Sequence, residues 1–397
     1  MFNKTDIVIL AGGYGTRFKT ISKKLPKPLV EINQLPLLNY VLMNISKYKF
    51  KKIYILAGYK GNLIKKKFHK KKINLTSIEV IVEKKPKGTA KAIFCLRKKI
   101  NNNFILLNGD TIFKIKLDFF LKKSLTIKGT LGSIALCKNN LNNYNKKLNN
   151  LKITNNLIQF SKNGKLMNGG VYFFKKKIFS FIKKDNYSLE NEVIQKLIYK
   201  KKIGGLKFNN YFIDVGTPKT FFMAKKQLKK EFKKPAAILD RDGVINYDFG
   251  YVHNFKNFVF RNNVIKGLRY LIKNNYYIFI VTNQAGIAKK KFKETDFYNL
   301  HDKIDRYFKS QKIYTDDIRY CPFHTEAKIK KYKVNSNLRK PKIGMIKELQ
   351  KNWLIDAKKS FVIGDKKTDQ LMAKSSKITF KYASNNFYKD IKILHNQ

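Results

Sequence analysis

Cysteine is nearly absent, with Cys95, Cys137 and Cys321 the whole complement of a 397-residue chain. So odd and sparse a set excludes a disulfide framework. No run of about 18 apolar residues occurs, which excludes a membrane-spanning helix. The opening MFNKTDIVILAGG turns into glycines where a signal peptide would need a small-residue cleavage site, so a cytoplasmic protein is expected. Acidic residues are also scarce, 26 Asp and Glu against 85 Lys and Arg, for a net charge of +59. Arginine stands at only eight positions, so lysine carries almost all of this charge.

Positive charge on this scale is what a nucleic-acid partner would require. The lysines, however, are spread along the whole chain together with abundant Asn, Ile, Tyr and Phe, the set that AT-rich codons favour. Even the densest patch, KKKFHKKK at 65–72, reads as a solvated helix face. No specific nucleic-acid partner and no membrane are expected, only weak attraction to polyanions. A hydrophobic content of 43%, with 31 Phe and 22 Tyr, excludes a disordered chain. At roughly 150 residues per domain, the length fits two or three domains, each able to bury a core.

Short apolar runs alternate with helical patterns, which predicts α/β domains with mostly parallel sheets. DIVILAGG, KKIYILAGY, SIEVIVE, NNFILLNGD, LGSIALC and GGVYFF read as strands of the first half, and AAILDRDG, YYIFIVTNQ and SFVIGD as strands of the second. Between them the basic stretch AKKQLKKEFKKP (224–235) predicts a helix or linker. Domains are therefore expected over 1–230 and 236–397. The Asn- and Lys-rich segment 138–156 reads as a surface loop or insertion.

In IVILAGGYGTRF, Gly12, Gly13 and Gly15 directly follow a buried strand. Glycines let backbone amides approach a polyphosphate as an anion-binding nest. Arg17 adds a planar fork for phosphate oxygens, and Lys27 in LPKPL places a second cation within reach. Here the chain resembles the sugar-1-phosphate nucleotidyltransferases. AGGYGTR (11–17), PKP (26–28), PKGTAKAI (86–93), LNGD (107–110), MNGG (167–170), LENE (189–192) and IDVGTP (213–218) carry the resemblance. It implies a Rossmann-like, GT-A-like domain in which a sugar phosphate attacks the α-phosphorus of a nucleoside triphosphate and displaces pyrophosphate. Positioning and charge neutralisation, rather than a protein nucleophile, drive such a step. By the same resemblance Asp110 and Asp214 hold Mg²⁺, and Gly12, Gly13, Gly15 and Thr16 hold the nucleotide. Lys162 meets the sugar phosphate, although its usual acidic neighbour is Ser161 here, and Asn168, Gly169 and Glu190 meet sugar hydroxyls. Glu83 and Gly88 flank KKPK at the spacing that relatives use to read the base. A carboxylate accepts hydrogen bonds and donates none, so Glu83 suits the paired N–H donors of guanine. GTP is the expected nucleotide.

In AILDRDGVIN, Asp240 and Asp242 stand two residues apart at a strand end, one placed as nucleophile and one as acid. VTNQ (281–284), RKPKIGM (339–345) and VIGDKKTD (362–369) add a hydroxyl, a cation and a further acid. This ordered set resembles the haloacid-dehalogenase-type phosphatases. Residues 236–375 resemble most closely the D-glycero-D-manno-heptose-1,7-bisphosphate 7-phosphatases and the related histidinol phosphatases. The resemblance implies a HAD-like Rossmannoid domain with Asp240 as nucleophile and Asp242 as general acid and base. Thr282 and Lys340 neutralise the phosphoryl group, and Asp365, Asp240 and the Asp242 main-chain carbonyl hold Mg²⁺. Asn283, Gln284, Arg339, Lys366 and the loop from Asp248 to Tyr251 hold substrate, and Asp369 is expected as an outer-sphere ligand of the metal or, preferably, a helix N-cap. Relatives often bind zinc near this point. The ligand positions read Cys321, Phe323, Ser336 and Leu338, so no zinc is expected and Cys321 should be a buried thiol beside a packed Phe323.

A phosphatase acting on a heptose 1,7-bisphosphate yields a sugar 1-phosphate, the substrate class implied for the first half. The expected function is bifunctional synthesis of GDP-D-glycero-α-D-manno-heptose. The alternative is a hexose-1-phosphate nucleotidyltransferase joined to a histidinol-phosphatase-like enzyme. Oligomeric state is left open.

Overall fold

The computed structural model describes residues 4–13, 15, 21, 24–85, 87–138, 149–183 and 187–396. The chain divides into two compact units, 1–72 with 76–228 and 73–75 with 229–397. Among the described residues, no helix is long and apolar enough to cross a membrane.

The first unit is built on a ten-stranded mixed sheet. Asp6–Ala11 lies inside it, parallel to Ile53–Ala57 on one side and to Phe104–Asn108 on the other. All five residues of Ile53–Ala57 are buried, as a strand covered on both faces requires. Each Ile or Leu so enclosed contributes about 1.5–3 kcal/mol. From Asp6–Ala11 the chain builds outward through Ile53–Ala57 and Thr76–Val82, then crosses back to Phe104–Asn108. The strand order therefore reverses beside the carboxyl end of Asp6–Ala11, and the crevice at such a reversal is where open α/β sheets bind ligands. The glycine loop after Ala11 and Asp110 both follow from that placement. Beyond Phe104–Asn108 the sheet turns antiparallel through Leu166–Phe174 and Gly132–Lys138.

The segment expected to be a loop is partly strand. Leu151–Thr154 and Leu157–Phe160 form an antiparallel hairpin at the edge of the large sheet. Its tight turn uses Asn155 and Asn156, both at positive φ, which asparagine tolerates better than most residues. Residues 139–148 of the same segment lie outside the described residues. The basic stretch at 224–235 is helical up to Phe232, within Pro218–Phe232. In KKKFHKKK, Lys65, Lys66 and Lys67 face solvent while Phe68 is buried.

The second unit has a five-stranded, wholly parallel sheet. Its order is Asp317–Cys321, Tyr277–Asn283, Ala236–Leu239, Phe361–Gly364 and Thr379–Tyr382. Ala236–Leu239 is central and fully buried. The chain winds first to one side of it and then to the other, so the reversal sits at the carboxyl end of Leu239. Asp240 is the next residue.

Candidate active sites

In the first unit, Thr111–Phe113 pairs antiparallel with Phe212–Asp214, and Asp214 falls opposite Thr111. That register brings together two acids 104 positions apart. The Thr111 hydroxyl lies 2.9 Å from Asp214 Oδ1 and 3.3 Å from Asp110 Oδ1, so its proton serves one carboxylate at a time. The Val215 amide donates to the Asp110 carbonyl at 2.9 Å. Lys27 Nζ stands 2.6 Å from Asp110 Oδ2. A cavity of about 220 Å³ is walled by Gly13, Gly15, Lys27, Asp110 and Gly216. The expected glycine loop, lysine and acid thus share one concave surface. Thr16 and Arg17 lie outside the described residues.

Glu83 is half-buried, and a side chain at Gly12 would stand 3.2 Å from its carboxylate. Burial pushes the Glu83 carboxyl above its ordinary value, partly offset by a hydrogen bond from the Lys87 backbone. Gly88 requires its glycine. It has φ +97°, and a Cβ there would come within 2.1 Å of the Tyr187 carbonyl oxygen.

Asn168 and Gly169 depart from expectation. Asn168 is buried; its Nδ2 donates to the Tyr172 hydroxyl at 2.6 Å and its Oδ1 accepts from the Gly170 amide at 2.9 Å. Both ends of the side chain are engaged inside the protein, at a register shift between Asn168 and Val171. Gly169 lies against the Phe113 ring, where any Cβ would be 2.5 Å away. These residues shape a bulge, and the Asn168 side chain is engaged within the protein. Lys162 is exposed in the turn after Leu157–Phe160. The second cavity, about 470 Å³, was not foreseen. It borders Asp214 and is lined also by Lys138, Asn209, Asn210, Lys219 and Thr220. Its only trace in sequence is the Asn-Asn pair just before the IDVGTP motif, too common a dipeptide to single out.

In the second unit, Asp240, Asp365 and Asp369 each offer an oxygen within 4.8 Å of the others. The buried Lys340 ammonium reaches Asp240 Oδ2 at 2.7 Å, Asp369 Oδ1 at 2.6 Å and the Val281 carbonyl at 3.2 Å. Burial raises the Asp240 carboxyl to about 6, against the pull of Lys340. Burial likewise raises Asp365, whose Oδ1 is enclosed without a hydrogen-bond partner. Three carboxylates around one ammonium, with an orphaned oxygen among them, form an all-oxygen and net negative donor set. It suits a hard divalent cation. Gly243 has φ +80°, and a Cβ there would lie 2.3 Å from Asp365 Oδ2, so only glycine lets this turn close over the acid.

The Asp242 carboxylate is saturated with donors. It accepts from Arg241 Nε at 3.1 Å and Nη2 at 2.8 Å, from Asn246 Nδ2 at 3.0 Å and from Gln284 Nε2 at 3.0 Å. Gln284, buried, also donates to the Thr282 hydroxyl at 2.9 Å. Asn283 accepts from the Lys340 amide at 3.1 Å and donates to its carbonyl at 3.2 Å. Asn283 and Gln284, expected to hold substrate, clamp the catalytic candidates Lys340 and Asp242. Asp369 serves both of its expected places. Lys366 occupies the N-cap, Asp369 is the third helical residue accepting from the Lys366 amide at 3.2 Å, and its other oxygen joins the acid cluster. Asp369 thus joins Asp240 and Asp365 among the side-chain oxygens that could face a cation.

At the rim, Lys366 reaches Asp248 at 2.9 Å and Asp365 at 3.8 Å, and holds the Asp248 carboxyl below its ordinary range. Tyr251 is exposed, with φ +51°. Arg339 Nη1 donates to the Phe323 carbonyl at 3.4 Å. Cys321 is buried, its thiol raised by burial, and the Phe323 ring packs edge-on against Tyr332 at 6.0 Å.

The family model described as nucleotidyl transferase matches residues 6–144, and that described as polynucleotide kinase 3 phosphatase matches residues 245–396. The D-glycero-beta-D-manno-heptose-1,7-bisphosphate 7-phosphatase of Rhodopseudomonas palustris is 41% identical over 37% of this chain and 81% of its own. That of Haemophilus influenzae is 44% identical over 34% of this chain and 72% of its own. The crystal structure of HddC from Yersinia pseudotuberculosis is 27% identical, with a TM-score of 0.49 over 57% of this chain and 100% of that one. A nucleotidyl transferase domain is therefore fused to a HAD-like phosphatase domain, and the chain belongs to the D-glycero-beta-D-manno-heptose-1,7-bisphosphate 7-phosphatase family.

Proposed function

We propose that the chain carries out two consecutive steps of heptose activation. The second unit removes the 7-phosphate of D-glycero-D-manno-heptose 1,7-bisphosphate, and the first transfers GMP from GTP to the resulting heptose 1-phosphate, releasing pyrophosphate. The observation that carries this proposal is the pairing of two acid-lined sites on one chain. One is a phosphatase site similar to heptose-bisphosphate phosphatases, and the other has the glycine loop, lysine and paired acids of nucleotidyl transfer.

In the phosphatase step an Asp240 oxygen bonds to phosphorus as the P–O bond to the sugar breaks. Asp242 protonates the departing oxygen. Water then attacks the aspartyl phosphate, gives its proton to Asp242, and inorganic phosphate leaves while Asp240 is regenerated. Lys340 and Thr282 stand beside the transferring group, and Asp248, Tyr251, Arg339 and Lys366 form the substrate rim. In the transferase step an oxygen of the sugar phosphate attacks the α-phosphorus, and the bond to the β-phosphate breaks. The glycine loop and Lys27 hold the triphosphate, Glu83 reads the guanine edge, and Glu190 meets the sugar hydroxyls. Lys219 and Lys138, at the larger cavity beside Asp214, supply positive charge on the acceptor side. Mg²⁺, held by Asp110 and Asp214 in one unit and by Asp240, Asp365 and the Asp242 carbonyl in the other, would neutralise the phosphoryl oxygens.

The deciding experiment supplies heptose 1,7-bisphosphate, GTP and Mg²⁺ to the full chain and follows phosphate, pyrophosphate and GDP-heptose. Release of both inorganic products with GDP-heptose is expected, and chelation by EDTA should stop both activities, with Mg²⁺ restoring them. Turnover confined to hexose phosphates would overturn the heptose assignment. A separate expectation concerns the base. Glu83→Gln should lower kcat/KM for GTP by about tenfold or more, because a lost bidentate contact is worth about 1–3 kcal/mol of discrimination, and should narrow the gap to UTP. Unchanged nucleotide preference would remove Glu83 from base reading.

A further inference from the structure

A buried hydrogen-bond chain runs through the first unit. Its centre is Tyr172, fully enclosed in Leu166–Phe174. The Tyr172 hydroxyl accepts from Asn168 Nδ2 at 2.6 Å and donates to Glu190 Oε1 at 3.3 Å. The Asn108 side chain also hydrogen-bonds to it. The other Glu190 oxygen accepts from the Thr89 hydroxyl at 3.3 Å, and Thr89 in turn accepts from the Leu189 amide at 2.9 Å.

Three segments meet at this phenol, and a fourth reaches the same Glu190 carboxylate through Thr89. Asn108 ends the strand two residues before Asp110. Asn168 belongs to the bulge, and Thr89 follows Gly88 in the loop assigned to the base. Glu190 lies in Leu189–Ile194, which is wound as a π-helix. Bulges and π-turns both forgo regular pairing and recur where the aim of a side chain matters. Glu190 is only half-buried, and a glutamate left free can lose up to about 2 kcal/mol of rotamer entropy when a ligand fixes it. Here one hydroxyl grips each of its oxygens beforehand. Burial, then the neighbouring Glu190 charge, pushes the phenol well above its ordinary value, so it remains a donor at every working pH.

We propose that Tyr172 is a positioning residue for the acceptor: through the chain Asn168–Tyr172–Glu190–Thr89 it presets the Glu190 carboxylate for the hydroxyls of the sugar phosphate. The same chain ties the acceptor side to the base-side loop in one frame. The inference rests on the nucleotidyl-transfer function proposed above, with Glu190 facing the sugar.

The test is Tyr172→Phe in the full chain, which deletes one oxygen and keeps the ring. Initial rates of pyrophosphate release are measured with heptose 1-phosphate varied at saturating GTP, and with GTP varied at saturating sugar phosphate. Phosphate release from heptose 1,7-bisphosphate serves as the folding control. The expected result is about a tenfold or greater fall in kcat/KM for the sugar phosphate, from one lost charge-assisted hydrogen bond. The value for GTP should stay within about twofold. Equal losses for both substrates would mark a merely structural tyrosine and overturn the proposal, as would no loss. Should Tyr172→Phe fail to fold, Thr89→Val removes the opposite grip from a partly exposed position and carries the same expectation. Absence of turnover by the unaltered chain would overturn the proposed function together with this inference. Turnover with an unaffected variant would overturn the inference alone.

Discussion

Replacing Asp240 by Asn should lower phosphate release by about 10⁴-fold or more, as loss of a nucleophile does, while pyrophosphate release continues at the rate of the unaltered chain. The amide preserves the shape of the side chain and can still accept from Lys340, which now stands 2.7 Å from Asp240 Oδ2. What it removes is the negative charge that attacks phosphorus. Asp110→Asn should give the reverse pattern, because Asp110 shares Thr111 with Asp214 and meets Lys27 in the first unit. The measurement is a pair of release assays on each variant, phosphate in one and pyrophosphate in the other. Each acid cluster is assembled wholly within its own unit, so the two losses should be separable. A single substitution that silenced both activities would refute independent sites.

The strand-end acids were legible in the sequence for a physical reason. Both sheets reverse their order beside a central apolar strand, and a reversal leaves a crevice at the carboxyl ends. ILAGG and AILDRD each announce a strand that ends in chemistry, so that, together with the motifs that carry the resemblance, Gly13, Gly15, Asp110, Asp240 and Asp365 could be assigned to candidate sites. The side-chain partners of Asn168, Asn283 and Gln284 could not be assigned in this way. An amide in a motif looks equally suited to a ligand or to the protein's own backbone. Only the fold reveals that Asn283 closes two hydrogen bonds on Lys340 and that Gln284 bridges Asp242 and Thr282. Asp369 was open between two readings on similar grounds. Its spacing fits a helix terminus, and one of its oxygens does serve the helix, but the other points at Lys340. The hairpin Leu151–Phe160 was hidden by composition, because Asn and Lys dominate its turn and flanks while only alternate residues such as Leu151 and Ile158 reach the core.

Lys340 is the residue on which the second site's electrostatics turn, and Lys340→Met should expose this as lost stability as well as lost activity. Its ammonium is enclosed, with Asp240, Asp369 and the Val281 carbonyl taking its three protons. Methionine fills comparable volume but leaves two enclosed carboxylates without their counter-ion. Breaking a buried pair from one side costs roughly 3–5 kcal/mol, which urea unfolding of the metal-free protein would register. The sign of its pH dependence follows from Asp240, whose carboxyl burial raises above its ordinary value, to about 6, in the folded protein even with Lys340 present. Without the ammonium it should lie higher still. A carboxyl raised by folding is protonated first in the folded state, so its penalty is full above the folded value and relaxes as the pH falls through it toward the unfolded value. The stability gap between variant and parent should therefore narrow from about pH 8 to about pH 5. Added Mg²⁺ should narrow it at neutral pH, since a cation among Asp240, Asp365 and Asp369 replaces part of the missing charge. A gap indifferent to both acid and Mg²⁺ would mean that the loss reflects packing around residue 340, and that Lys340 does not balance the charge of the catalytic acids.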